Sequence, residues 1–369
     1  MHKRRFSRAG FAAFAALVIG VSVGACGDDD DGGGGGGGGG GPIALLLPES
    51  KTARYESQDR PHFERNVKEL CSDCEILYSN ADQDAAKQQQ QAEAALTKGA
   101  KVLVLDPVDA ASAGAIVTKA KQQDVPVISY DRLIPNSDID YYVSFDNEKV
   151  GRLQGTSLTD KLKDDGKSSG TITMINGAPT DNNAKLFKKG AHSVLDKSGY
   201  KIGKEYDTPD WSPDKAQQEM EQAITALGED GFVGAYFAND GTAGGGIAAM
   251  KSAGIDPSTI PTTGQDAELA AIQRILAGEQ YMTVYKAVKP QARAAAEIAV
   301  ALVKGEDPPA GLTNQEIDNE QKQVPSVILD PVAVTKENVK GTIIKDGFWK
   351  ASELCTGSYA AACKEAGIQ

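Results

Sequence analysis

Val127-Ile128-Ser129-Tyr130-Asp131-Arg132 and, one short loop later, Tyr141-Tyr142-Val143-Ser144-Phe145-Asp146-Asn147 both run from β-branched and aromatic residues into a pair of polar side chains. Each is short, apolar and β-favouring, and ends in residues that turn a chain or bind a ligand. The same pattern recurs on both sides. Upstream lie Ile43 to Leu47, Glu75 to Tyr78 and Val102 to Leu105, separated by helical periods over Gln83 to Thr97 and Ala110 to Gln123. Downstream lie Thr171 to Ile175, Gly234 to Phe237 and Ile260 to Thr263, separated by helical stretches near Asn183 to Lys197, Pro213 to Leu227 and Gly244 to Ser252. Strands alternating with helices predict βαβ units and mainly parallel sheets. The fold class is therefore α/β, with two doubly wound Rossmann-like lobes.

Tyr141 to Phe145 is the expected crossing strand, and Tyr281 to Tyr285 leads back across, followed by the Ala-rich helix Pro290 to Lys304 and the strand Ser326 to Leu329. These last segments are too few for a third domain. They assign residues 42–146 with about 285–318 to an N-terminal lobe and 147–284 with about 319–348 to a C-terminal lobe, leaving 349–369 as a tail. More than one crossing makes a multi-strand hinge, and a hinge permits closure over a ligand.

The N-terminus gives an address. Lys3, Arg4, Arg5 and Arg8 precede an apolar run from Phe11 to Val23, and Val23-Gly24-Ala25-Cys26 reads as a lipobox. A basic segment, a short apolar run and small residues before a cysteine form an export signal, too short to span a bilayer comfortably. Residues 1–25 are thus read as a lipoprotein signal peptide and Cys26 as the lipidated first residue of the mature chain. Asp28 to Asp31 and the unbroken glycines Gly32 to Gly41 can bury no apolar surface and read as a flexible tether, residues 26–41. This places the protein on the outer side of the cell membrane, held by lipid alone.

The formal net charge is −12. The signal's four cations and the tether's four aspartates cancel, so the folded part carries the same value. An acidic surface argues against nucleic acid as a partner. Beyond Cys26, four cysteines remain in two close pairs, Cys71 with Cys74 and Cys355 with Cys363. Structural disulfides suit an exported chain. Cys71-Ser-Asp-Cys74 follows a helix and precedes a strand, whereas a redox C-x-x-C sits at a helix N-terminus.

In open parallel sheets, ligands bind beyond the carboxyl ends of the strands. Those positions here hold Asp131 and Arg132, Asp146 and Asn147, Asn176, Asn239 and Asp240, Gln265 and Asp266, and Lys286. A sugar hydroxyl both donates and accepts, so carboxylates and amides mixed with Arg and Lys suit it. Asp and Asn at strand ends also cap helices, but Arg132, Gln265 and Lys286 are poor caps, and together they tilt the set toward binding. Sugar rings also present apolar C–H faces, for which Trp211, Tyr55 and Phe187 are candidates; Trp349 reads as a core residue.

Catalytic constellations are scarce. His62 and His192 are the only histidines after the signal, each in a helical stretch. Gly241-Thr-Ala-Gly244-Gly245-Gly246 lacks the spacing of a dinucleotide loop and the ending of a phosphate loop. No calcium loop is found. The expectation is a protein without cofactor or metal that is not an enzyme.

At these residues the chain resembles the periplasmic-binding-protein type 1 superfamily, and within it the D-xylose-binding proteins of bacterial ABC transporters. The stretches that carry the resemblance include Tyr130-Asp131-Arg132 through Gly151, Asp181 to Phe187, Asn239 to Gly245, Gly264-Gln265-Asp266, Met282 to Lys286 and Ile344 to Gly347. The resemblance implies sugar hydrogen bonds from Arg54, Arg132, Asp181, Asn183, Asn239, Asp266 and Lys286, and stacking by Trp211. Asp131 joins them from the strand-end reading. The first loop departs from the pattern, with Tyr55 where some relatives have Trp. The tether and the tail with Cys355 and Cys363 lie outside the resemblance. It further implies a monomer that passes a monosaccharide, D-xylose, to a membrane permease driven by a separate ATPase; a sensing receptor presenting its ligand to a chemosensory or kinase ectodomain is the alternative.

Overall fold

The computed structural model describes residues 40–368; the signal peptide, Cys26 and the tether up to residue 39 lie outside the described residues. Strands β1 (Ile43–Leu47), β2 (Ile76–Asn80), β3 (Val102–Leu105), β4 (Val127–Tyr130) and β5 (Tyr141–Phe145) alternate with helices α1 (Arg60–Leu70), α2 (Ala85–Thr97) and α3 (Gly114–Lys121). After β5 come α4 (Asn147–Asp164), β6 (Thr171–Asn176), α5 (Asn182–Leu195), β7 (Lys201–Asp207), α6 (Pro213–Leu227), β8 (Gly234–Phe237), α7 (Asp240–Ser252), α8 (Leu269–Ala277) and β9 (Met282–Tyr285). The chain ends with α9 (Val288–Lys304), β10 (Gln315–Asp318), β11 (Gln323–Leu329), β12 (Val332–Thr335), and two short helices, α10 (Ala351–Leu354) and α11 (Ala360–Glu365).

The N-terminal lobe is a seven-stranded sheet in the order β10-β11-β5-β4-β3-β1-β2, parallel except for β10 against β11. Its inner strands, buried on both faces, are near-continuous apolar runs interrupted by single serines such as Ser129 and Ser144, as parallel sheets favour. Phe63 and Val67 of α1 pack with Ala292, Ala295 and Ala299 of α9 on one face, and Ala92 and Leu96 of α2 with Ile116 and Val117 of α3 on the other. The C-terminal lobe has the order β7-β6-β8, then an extended segment, then β9 and β12. One of its faces packs α4 and α5 through Val150, Leu158, Phe187 and Leu195; the other packs α6 and α7 through Met220, Ala223, Ile247 and Met250.

Two expectations need correction. Ile260 to Thr263 is not a regular strand: Thr262 forms a single parallel bridge with Ala235, and Pro261, which has no N–H, can only accept, from Ala235 N at 3.0 Å. The segment still links the sheet, since Met282 N and Val284 N donate to the carbonyls of Thr262 and Gly264. Ser326 to Leu329 belongs with the N-terminal sheet, where Ser326 pairs with Tyr142 and Leu329 with Phe145, so the assignment of 319–348 to the C-terminal lobe fails as far as Leu329. That lobe resumes at Val332, opposite Tyr285 on β9. The chain therefore crosses between the lobes three times, after Phe145, after Tyr285 and after Leu329, the last of these about ten residues later than the sequence suggested.

Both cysteine pairs are disulfides, with Cα separations of 5.3 Å for Cys71–Cys74 and 5.6 Å for Cys355–Cys363. The second closes the tail, whose Leu354, Cys363 and Ile368 pack on Ile272, Ile275 and Leu276 of α8. Among the described residues, no helix is long and apolar enough to cross a membrane.

Candidate functional site

The carboxyl ends of both sheets face one cavity. Asp131 and Arg132 reach it from the end of β4, Asp266 and Gln265 from the segment before α8, and Lys286 from the end of β9. Asp181 and Asn183 open α5, and Asn239 opens α7. Tyr55, Phe187 and Trp211 supply aromatic wall. Nine of the ten candidate ligand-binding residues thus line one cavity, with Thr52, Gln265 and Phe187 added to them.

The tenth, Arg54, stands directly behind. Its guanidinium forks onto Asp59, Nε and Nη2 each 3.0 Å from a carboxylate oxygen, and reaches Asp131 at 2.5 Å and Asp266 at 3.5 Å. Asp59 is itself held by the Tyr130 hydroxyl at 2.6 Å. Burial acts to raise the Asp131 carboxyl, but Arg54, Lys286 and Arg132 outweigh it and hold the group below the usual carboxylate range. Asp131 is therefore an ionised acceptor. Asn183 Nδ2 donates to it at 3.2 Å, and Asn147 Nδ2 in turn donates to Asn183 Oδ1 at 2.9 Å.

Arg132 is the other cationic centre, with only 3% of its side chain exposed. It meets Asp181 of the opposite lobe at 2.9 Å, and Asp106 and Glu49 of its own lobe at 3.6 Å and 4.0 Å, while Nη1 donates to the Pro107 carbonyl at 3.0 Å. Burial pushes the Asp181 carboxyl up despite Arg132, and pushes Asp106 well up. Lys286 Nζ pairs with Asp266 at 3.1 Å and lies over the rings of Phe145 and Phe187. Acids and bases alternate around the wall. Such an alternation provides both donors and acceptors for a neutral polyhydroxy guest, where a single-sign wall would select an ion.

Backbone strain gathers at the same place. Asp131, Trp211, Asp266 and Ala267 all have positive φ, at 57°, 52°, 94° and 50°. Left-handed conformations at residues other than glycine cost on the order of 1–3 kcal/mol each and cluster at binding sites. Trp211 is aimed by two neighbours: its Nε1 donates to Asp181 at 3.1 Å, and Gly177 leaves room for the ring, since a Cβ there would lie 2.0 Å from it. Phe187 meets it edge-on, the ring centroids 6.3 Å apart.

Other strand-end residues take supporting roles. Asn239 does cap α7, its Oδ1 accepting from Thr242 N at 2.9 Å, which leaves the amide nitrogen for a ligand. Asp240 is buried behind the cavity, accepting from Thr283 Oγ1, Gln280 Nε2 and Glu268 N at 2.8–2.9 Å. Asp146 caps α4. The strand-end reading passed over Asp106 and Glu49, although Asp106 follows Leu105 directly and the same rule would have found it. Trp349 is half-buried rather than central to the core, and its Nε1 donates to the Ala267 carbonyl at 2.7 Å. Among the described residues no cluster of His, Cys, Asp and Glu could hold a metal ion.

Comparison with known proteins agrees with this architecture. A periplasmic binding protein domain model matches residues 43–307. The chain is 39% identical over 317 residues to the D-xylose-binding periplasmic protein of Escherichia coli (strain K12), covering 85% of this chain and 92% of that protein. It is 40% identical over 310 residues to the protein of the same description from Haemophilus influenzae, covering 83% and 90%. Among solved structures, an ABC transporter solute binding protein from Clostridium phytofermentans with bound β-D-glucose superposes with a TM-score of 0.77 at 29% identity, covering 85% of this chain and 99% of that one. With the family model spanning most of the chain and these relatives matched nearly end to end, the chain belongs to the periplasmic binding protein family and has its type 1 fold.

Proposed function

We propose that this chain captures a single monosaccharide, D-xylose, between its lobes and presents it to the permease of an ABC importer. The observation that carries this reading is the pooling of Asp131 and Arg132 from one lobe with Asp181, Asn183, Asp266 and Lys286 from the other around one aromatic-walled cavity. Closure removes water from these groups and strengthens every bond they make to hydroxyls. The role is binding and release with no covalent step. The D-xylose-binding relatives support the pentose, and the glucose-bound neighbour makes glucose the informative competitor, since it differs by one hydroxymethyl group.

The lipobox ending at Cys26 supports a lipid-anchored protein on the outer side of the membrane, where the glycine tether would keep a monomeric receptor near its permease and raise its effective concentration there. The test is thermal unfolding against a panel of pentoses and hexoses, because a ligand stabilises the folded state by RT ln(1 + [L]/Kd). D-xylose should raise the midpoint most. A larger shift with D-glucose would overturn the pentose assignment, and no shift with any monosaccharide would overturn sugar binding.

A further inference from the structure

The loop that carries Asp266 is strained at two successive residues, Asp266 at φ 94° and Ala267 at φ 50°. Neither is glycine, so something outside the loop must hold it. Three of its contacts come from within the lobe: Asp266 N to the Val284 carbonyl at 2.9 Å, Ala267 N to Thr283 Oγ1 at 3.3 Å, and Glu268 N to Asp240 Oδ2 at 2.9 Å. All of these restrain amide nitrogens. Among the described residues, the one side chain that grips a carbonyl between Asp266 and Glu268 is that of Trp349, whose indole Nε1–H donates to the Ala267 oxygen at 2.7 Å.

Trp349 belongs to the segment that opens the tail, and the tail is firmly seated. Phe348 stacks edge-on between Tyr285 and Trp349, with centroid distances of 5.0 Å and 5.5 Å. Gln273 of α8 donates to the Leu354 carbonyl at 3.1 Å, and the Cys355–Cys363 disulfide lies beside the same helix. Gln58, in the turn just after Arg54 and Tyr55, donates to the Phe348 carbonyl at 3.2 Å. Two consecutive residues thus tie the first-loop segment of one lobe to the Asp266 loop of the other.

We propose that Trp349 is a positioning residue for sugar binding: through the Ala267 carbonyl it holds the strained loop so that Asp266 meets Lys286, Arg54 and the ligand together. The inference rests on the sugar-binding reading but can fail separately from it.

The test pairs Trp349→Phe, which keeps an aromatic ring on Phe348 but removes the N–H, with Ala267→Gly, which adopts a positive φ without strain. D-xylose affinity is measured by calorimetry in the wild type, both single variants and the double variant, with thermal unfolding as the fold check. Trp349→Phe should weaken binding by about 5- to 10-fold, the loss of roughly one hydrogen bond. Ala267→Gly in the same chain should restore it to within about 2-fold of the Ala267→Gly single variant, since a loop that needs no clamp does not miss one. A merely structural tryptophan would show no such rescue. Hydrogen exchange of the 266–268 amides in ligand-free protein should also rise in Trp349→Phe and return in the double variant. Unchanged affinity in Trp349→Phe, or a double variant no better than Trp349→Phe, overturns the proposal. If the wild type bound no monosaccharide, the sugar reading would fall, and the exchange data would still decide whether Trp349 clamps the loop.

Discussion

Replacing Arg132 by methionine keeps an unbranched apolar stem but removes the guanidinium that Asp181, Asp106 and Glu49 share. The three carboxylates lie within 4.0 Å of that group, and their side chains are 4% exposed or less. Without it, closing the lobes brings Asp181 from one side toward Asp106 and Glu49 on the other with no cation between them. Breaking a buried pair by removing one partner costs about 3–5 kcal/mol, because the remaining charge is left uncompensated. With about 1.4 kcal/mol per tenfold, D-xylose affinity should fall by roughly two to nearly four orders of magnitude near neutral pH. The loss should shrink on acidification. Burial already raises the Asp181 and Asp106 carboxyls in the intact protein, and removing the cation raises them further, so protonation relieves the cost of closure as pH falls. Calorimetry near neutral pH and at about pH 5, with circular dichroism to confirm folding, measures both effects. A penalty below about 1 kcal/mol, or one that does not change with pH, would refute the argument that Arg132 neutralises acids of both lobes.

Two further outcomes follow from other contacts. Gly177→Ala puts a Cβ 2.0 Å from the Trp211 ring and should displace it, weakening sugar binding by at least about tenfold without altering any group that touches the ligand; unchanged affinity would remove Trp211 from the wall. Asp240, pushed up to about 7 by burial, keeps in the folded state a proton that the unfolded chain releases near pH 4. Its contribution to stability is therefore fully present below the unfolded value and is lost as pH rises toward 7, by at most about 4 kcal/mol. Urea unfolding at several pH values should show Asp240→Asn gaining on the wild type across that window, and a constant difference would contradict the assignment.

The inner strands of both lobes were legible because a strand buried on two faces must be mostly apolar, as Val102 to Leu105 is throughout and Val127 to Tyr130 is apart from Ser129, whose hydroxyl donates to the Arg132 carbonyl. The edge strands β7 and β10 escaped notice for the same reason in reverse. Lys201–Asp207 alternates between exposed and half-buried, and Gln315–Asp318 is mostly exposed, so neither needs an apolar run. Pro261 disguised a bridging segment as a strand, since its neighbours are β-branched while its missing N–H breaks the ladder. The site was legible residue by residue because strand ends in such sheets converge, and Arg132 and Lys286 have no other reason to stand there. Which partners they meet was not. The Arg132–Asp181 pair joins opposite lobes, the Trp211 ring depends on an absent Cβ at Gly177, and the hold of Trp349 on Ala267 joins residues 82 positions apart.

The third crossing, after Leu329, bears on how finely such a receptor can choose. Two bodies joined by a single covalent strand can swivel and dock in several registers, each presenting a different arrangement of polar groups. Three side-by-side links suppress twist and sliding and leave little besides a swing about one axis. Every closure then returns Asp181 to Arg132 and Asp266 to Arg54 along the same path. Sugars that differ in the orientation of one hydroxyl are told apart only by groups held to within about half an ångström of their productive positions. On that view part of the selectivity resides in backbone that never approaches the guest, and lengthening the Asp330-Pro331 link would blur discrimination among sugars before it weakened the grip on any of them.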